Sequence, residues 1–286
     1  MSRIVYLNGR FVGEDQACIS PLDRGFLLGD GVYEVIPAYH GQLFRLEPHL
    51  QRLDHSLQRI AMRNPLSNEA WRTTLQQLVD HNGGGDLSVY LQVTRGVAAR
   101  DHSFPDDVSA TVFAMATPIA PFPADLKENG VAAITLEDIR WQYCGIKAIT
   151  LLPNVLMRQQ AKEAGASEAI LLRQGHVTEG AASNVFIVSQ RVLFTPARND
   201  ELLPGITRDL VLELATELGI ETRETTVSES QLRAADEIWL TSSTREILPV
   251  TRLDHEALGD GRPGPLWALL HARYQQYKRD LAHAPH

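Results

Sequence analysis

Two hydrophobic periods alternate along the chain and mark out its elements. Residues 4–7 and 10–12 are short apolar runs separated by Asn8-Gly9. That dipeptide tolerates the positive φ angles of a type I′ turn, so the opening predicts a β-hairpin. Residues 31–39 read as a strand that turns at His40-Gly41 into residues 42–44. After Pro48, the residues Leu50, Leu53, Leu57 and Ile60 recur at helical spacing and form one apolar stripe. Arg52 falls off that stripe, and periodicity alone makes it a surface residue. A second helix is predicted over 71–80, ended by Asn82-Gly83-Gly84-Gly85, followed by β-rich runs at 87–94 and 109–116.

Pro118, Pro121 and Pro123 then fall close together and read as a linker. Beyond them the pattern predicts strands at 131–135, 168–172, 184–188 and 237–240. Helices are predicted at 154–164 and 207–218, closed by Gly165 and Gly219. No internal repeat interrupts this order. The reading is therefore α+β in two domains: a small one over 1–117, a linker over 118–125, and a larger one over 126–286. A cleft between two such domains is a common place for a cofactor or substrate.

Composition narrows the function. The 286 residues are 44% hydrophobic and 22% charged, as in an ordinary globular chain. A formal charge of -8 argues against nucleic acid and against an anionic membrane surface, and favours a small-molecule ligand. No run of about 18 uncharged apolar residues is present, and the opening reads as strand and turn, so a cytoplasmic protein is expected. Cys18 and Cys144 stand far apart, and the ten histidines never adopt a metal-binding spacing, so neither a disulfide framework nor a metal site is expected. No Gly-x-Ser-x-Gly elbow supports hydrolysis.

Lysine is scarce: Lys127, Lys147, Lys162 and Lys278 are the only four. Three sit in polar or charged stretches and read as solvated. Lys147 lies in Gly145-Ile-Lys-Ala-Ile-Thr-Leu-Leu152, whose apolar side chains remove water from an ammonium and favour the free amine that a nucleophile needs. Taken alone, it equally suits a lysine snorkelling from a strand end. Four further stretches could partner it. Val177-Thr-Glu-Gly-Ala-Ala-Ser-Asn184 sets Glu179 among small residues where a flat ligand could approach. Leu202-Leu-Pro-Gly-Ile-Thr-Arg-Asp209 opens a helix whose free N–H groups suit an anion, although Thr207 also suits a plain cap. Leu240-Thr-Ser-Ser-Thr-Arg245 is a hydroxyl-rich turn. In Val93-Thr-Arg-Gly96 and the residues after it, an extended backbone would point Arg100 and His102 the same way, toward one carboxylate.

Together these stretches resemble the class IV, fold type IV aminotransferases that use pyridoxal 5′-phosphate, and among them most closely the D-amino acid aminotransferases. The resemblance runs along almost the whole chain. It rests on Asp23-Arg-Gly-Phe-Leu-Leu-Gly-Asp-Gly-Val-Tyr-Glu-Val35, Val93-Thr-Arg-Gly96 with Arg100 and His102, and Glu137-Asp-Ile-Arg-Trp141 leading to Lys147. Val177-Thr-Glu-Gly180 with Ser183-Asn-Val-Phe186, and Gly205-Ile-Thr-Arg-Asp209, complete it.

The resemblance implies a small N-terminal α/β sandwich, a larger C-terminal pseudo-barrel and a cofactor in the cleft between them. It implies that Lys147 condenses with the cofactor's aldehyde and later shuttles the substrate proton. By the same resemblance Glu179 sits against the pyridine nitrogen, Arg52, Ile206, Thr207, Ser242 and Ser243 hold the phosphate, and Leu203 packs on the ring. Tyr33 and Glu34 border the lysine, and Arg100 with His102 hold the substrate α-carboxylate from a neighbouring subunit, which implies at least a homodimer. The implied reaction passes the amine of a D-amino acid such as D-alanine to 2-oxoglutarate.

Branched-chain L-amino acid aminotransferases, (R)-amine transaminases and aminodeoxychorismate lyases share the scaffold, and Arg100 with His102 is the feature that separates them. A non-catalytic pyridoxal phosphate carrier is the rival of another class. Three departures from the family pattern stand out: Ala181 and Ala182 where hydroxyl residues are common, Pro37 inside a strand, and Arg245 as an extra cation toward the acceptor.

Overall fold

The computed structural model describes residues 2–281. Contacts divide the chain into two compact units. The first takes the residues up to Ala120 together with Ile146–Thr150, and the second takes Pro121–Gly145 and Leu151–Asp280. The chain thus leaves the first unit within the proline cluster and returns to it at Ile146–Thr150. That return, which carries Lys147, has no signal in the hydrophobic pattern.

In the first unit six antiparallel strands form one sheet, in the order Arg10–Gly13, Ile4–Leu7, Thr111–Pro118, Leu87–Thr94, Gly31–Tyr39, Gln42–Leu43. The opening hairpin turns at Asn8 and Gly9, both at positive φ. The helices Leu46–Arg59 and Asn68–His81 bury the predicted stripe: Leu50, Leu53 and Leu57 pack with Trp71, Leu75 and Leu78 against Ile36, Val89 and Leu91 of the sheet. Because Leu53 is fully enclosed, Leu53→Ala is expected to cost about 2–5 kcal/mol of stability, read from the midpoint of denaturant unfolding. Pro37 does not break its strand. Its carbonyl accepts from the Phe44 amide at 2.8 Å, and only the two-residue edge strand feels the missing N–H.

In the second unit a nine-stranded mixed sheet runs Thr222–Glu224, Val192–Thr195, Asn184–Ser189, Glu237–Ser242, Glu246–Leu253, Val131–Glu137, Glu168–Arg173, His176–Gly180, with Glu256–Ala257 beside Glu246–Leu253. The sheet curls into a half-barrel, and Ala181–Ser183 link its last strand directly to Asn184–Ser189. Val185, Ile187, Ile238, Leu240, Leu248 and Val250 fill its apolar side. Helix Leu152–Glu163 packs Met157 and Ala161 on Ala169, Leu171 and Ala181, which makes Ala181 a core residue with no space for a hydroxyl to stay wet. Helices Ile206–Glu217 and Pro265–Leu281 complete the unit. Among the described residues no helix is long and apolar enough to cross a membrane, and no cluster could hold a metal ion.

Candidate active site

The segment Ile146–Thr150 lies along the strand Gly31–Tyr39. Tyr33 donates its amide to the Lys147 carbonyl at 2.9 Å, Ile149 donates to Gly31, and Ser56 Oγ accepts from the Lys147 amide at 3.2 Å. Ile146 is buried in the core, so the backbone around Lys147 is fixed at both ends. The side chain is half-buried, and Nζ stands 4.2 Å above the Tyr33 ring, which stacks on Tyr90. The other lysines differ. Lys127 and Lys162 are exposed, whereas Lys278, expected to be solvated, pairs with Glu246.

Neighbouring strand residues point to opposite faces, so Glu34 turns inward from beneath Tyr33. It is fully buried, and Arg52 grips it bidentately through Nε at 2.8 Å and Nη2 at 2.7 Å. His49 Nδ1 meets the same carboxylate at 2.8 Å. Burial alone would favour the neutral acid, but the Arg52 guanidinium, helped by His49, holds Glu34 far below the usual carboxylate range. His49 is pushed below its ordinary value, chiefly by burial and with the charges of Arg52 and Lys147 in the same direction. The expectation that helical period leaves Arg52 at the surface is thus corrected: it is 7% exposed, drawn inward by a strand carboxylate that helical period alone does not reveal. Periodicity gives His49 no role either, although it precedes Arg52 by one helical turn and shares its face.

In the second unit Glu179 is 5% exposed at the end of His176–Gly180. Its carboxylate takes an ion pair from Arg140 and accepts 3.1 Å hydrogen bonds from Asn184 Nδ2 and the Leu203 amide. Arg140 is clamped to Asp138 by Nε at 2.9 Å and Nη2 at 2.8 Å, and Asp138 also pairs with Arg173 at 3.0 Å. Arg140 and Asn184 are functional candidates that received no role from the sequence, although both lie within the stretches that carry the resemblance. The alternation of Asp138 and Arg140 two residues apart was the available signal.

The Asn184 amide also donates to the Leu203 carbonyl at 2.8 Å, tying down the loop before helix Ile206–Glu217. Gly205 makes that approach possible, because a Cβ there would sit 1.9 Å from Asn184 Oδ1. No side chain caps this helix, and Ile206 and Thr207 in its first turn are buried. Ser242 and Ser243 lie half-buried at the end of strand Glu237–Ser242. Next to them Thr241 Oγ1, in a residue 1% exposed, has no hydrogen-bond partner among the described residues. Arg245 bonds Glu168 at 3.3 Å and the Ser167 carbonyl at 3.4 Å, so the cation expected toward an acceptor is committed to a buried carboxylate.

Arg100 and His102 are both exposed, in the loop between Leu87–Thr94 and Thr111–Pro118. The backbone there is bent at Arg100 and again at His102–Ser103. The extended geometry that would align the pair is therefore not the one adopted. The backbone turns because Arg24 Nη1 holds the Asp101 carbonyl at 2.6 Å and Asp101 Oδ1 accepts from the Ser103 amide.

The model of the amino-transferase class IV family matches residues 31–253. The chain belongs to the class IV aminotransferases. This bears out the family resemblance carried by the motifs. Among its relatives, a D-alanine aminotransferase of Bacillus licheniformis is 44% identical over 262 residues, 92% of each chain. One of Staphylococcus aureus strain MW2 is 38% identical over 96% of this chain and 97% of its own. Solved branched-chain amino acid aminotransferases share the fold. That of Escherichia coli superposes with a TM-score of 0.91 at 28% identity, covering 96% of this chain and 94% of its own. One from T.th., crystallised with pyridoxamine 5′-phosphate, gives 0.92 at 28% over 97% and 94%.

Class IV aminotransferases use pyridoxal 5′-phosphate, and the donor set of this aminotransferase fits it. An uncapped helix start with buried Ile206 and Thr207 suits a phosphate, and so does the orphaned Thr241 hydroxyl beside Ser242. A buried acid paired with Arg140 suits a pyridinium, and a fixed, half-buried amine suits an aldehyde.

Proposed function

We propose that this aminotransferase passes the amino group of a D-amino acid such as D-alanine to 2-oxoglutarate, giving a 2-oxo acid and D-glutamate. The carrying observation is the likeness to D-alanine aminotransferases over more than nine-tenths of the chain. Arg100 and His102, both exposed on one loop, supply a cation and an imidazole suited to a substrate carboxylate.

The cofactor, when bound, supplies an aldehyde for the amine and a ring that draws in the electron pair released at the substrate Cα. Lys147 Nζ serves as the attachment point and as the base that takes and returns the Cα proton. Tyr33 offers its ring face to that ammonium while it is charged, an attraction of about 0.5–2 kcal/mol. Glu179 keeps a negative charge for the ring nitrogen, held in orientation by Arg140, Asn184 and the Leu203 amide. Ile206, Thr207, Ser242, Ser243 and Arg52 bind the phosphate, and Leu203 packs against the ring. Glu34 orients Arg52 for that task.

The active unit is a homodimer in which Arg100 and His102 of the partner subunit reach the substrate. Support comes from the exposed apolar side chains Leu22, Phe26, Val97 and Phe104, of which Phe26 is 76% exposed. Two free thiols, Cys18 and Cys144, suit the reducing cytoplasm. Branched-chain L-amino acid transamination is the second reading, favoured by the fold similarity. A panel of D- and L-amino acids with 2-oxoglutarate decides: turnover of D-alanine is expected, and turnover confined to L-leucine-type substrates would overturn the proposal.

Arg100→Ala removes one charge-assisted carboxylate contact, so KM for D-alanine and for 2-oxoglutarate is expected to rise at least about tenfold. Steady-state kinetics with both substrates checks it. An unchanged KM would show that the carboxylate is held elsewhere.

A further inference from the structure

We propose that Arg24, Asp30 and Arg95 form a clasp that holds the loop bearing Arg100 and His102 in its binding shape, so that these three residues set affinity for the substrate carboxylate. The proposal rests on the D-amino acid reading and adds positioning residues to it.

Arg24 and Arg95 converge on one oxygen. Their Nε atoms lie 2.7 and 2.8 Å from Asp30 Oδ2. Arg24 and Arg95 are almost enclosed, so these pairs are desolvated far more than surface ion pairs. Burial opposes the Asp30 charge, yet the hydrogen bonds and charges of Arg95 and Arg24 hold the carboxyl below its usual range.

Each arginine then reaches past the shared carboxylate to a different part of the loop. Arg24 Nη1 bonds the carbonyl of Asp101, the residue between Arg100 and His102, at 2.6 Å. Arg95 places its guanidinium 3.7 Å from the centre of the Phe104 ring and anchors to the Ile60 carbonyl at 2.7 Å. The neck of the loop is fixed as well. The Arg24 amide donates to the Gly96 carbonyl at 2.8 Å, and Asp23 takes a hydrogen bond from Thr111 Oγ1 at 2.6 Å. Gly96, at φ +104°, lies so close to Ser109 that a Cβ would sit 2.0 Å from its carbonyl oxygen. Among the described residues Arg100 and His102 have no hydrogen-bond partner of their own side chains, so the orientation of the pair depends on the backbone that the clasp holds.

The holoenzyme with Arg24→Met tests the clasp, beside Arg24→Lys, which keeps the charge but cannot span both contacts. KM for D-alanine and 2-oxoglutarate is expected to rise at least about tenfold, with kcat within about threefold of wild type and an unchanged cofactor absorption band. Amide hydrogen exchange in residues 97–105 should speed up in the same variants, with Arg24→Lys intermediate in both measurements. Faster exchange with unchanged KM would overturn the proposal, as would a loss confined to kcat. Should Arg24→Met fail to fold, Arg24→Lys carries the same comparison. A wild-type enzyme inactive on D-alanine would sink the functional reading instead, and the exchange measurement would still judge the clasp.

Discussion

A protein carrying Lys147→Ala is expected to bind pyridoxal phosphate without fixing it and to lose transamination altogether. No other lysine can take over the two tasks proposed for this amine, because Lys127 and Lys162 are exposed and Lys278 is paired with Glu246. As a positioned base it accounts for about 10²–10⁴ in rate, and the covalent attachment is lost in addition. Borohydride treatment of the wild-type holoenzyme should fix the cofactor to the peptide containing Lys147, and the same treatment of the variant should leave all peptides unmodified. The fold should survive. The segment is secured by the backbone bonds of Tyr33 and Ile149, by the Ser56 hydroxyl accepting from the Lys147 amide and by buried Ile146, none of which uses the lysine side chain. A variant that retains both its visible absorption band and its turnover would refute the assignment of the amine.

The sequence announces this lysine by contrast with its neighbours, and it announces the local elements by period and turn chemistry. Asn8-Gly9 adopts the positive φ angles that its hairpin requires, and Leu50, Leu53 and Leu57 are fully buried. What it leaves dark is long-range. Helical period treats Arg52 as surface because it counts only apolar residues as candidates for burial, and the carboxylate that draws Arg52 inward comes from a strand 18 residues earlier. The return of Ile146–Thr150 to the first unit follows from pairing with Gly31–Tyr39, a register that local composition does not encode.

The candidate site is legible in the same uneven way. Glu179 and Lys147 stand out once several ordered motifs are read together. The groups that orient them do not. Arg140 reaches Glu179 from 39 residues away, so spacing along the chain carries little trace of that pairing, and Asn184, five residues from Glu179, reads as one polar residue among several. An extended backbone would give Arg100 and His102 a shared direction. The loop bends instead, because a carbonyl between them is captured by Arg24 from a different element.

Glu179→Gln is expected to lower kcat by about 10² or more, with KM for D-alanine changed far less, since the lost charge acts on the transition state. The substitution keeps the shape and one oxygen able to accept from the Leu203 amide, so the loss reports the charge together with its pairing to Arg140. It also leaves Arg140 with one buried carboxylate, Asp138, where it had two. Breaking a buried pair in this way costs roughly 3–5 kcal/mol, so a drop in melting temperature should accompany the kinetic loss. Glu179→Asp separates the two effects. Its charge remains, so stability should recover in part, while the shorter side chain cannot keep Arg140, Asn184 and the Leu203 amide in place together. Activity should stay low, and the absorption band of the bound cofactor should shift in both variants, through loss of the counter-charge in Glu179→Gln and through its displacement in Glu179→Asp. A Glu179→Gln enzyme with kcat within a few-fold of wild type would mean that the acid opposite the ring is a different residue.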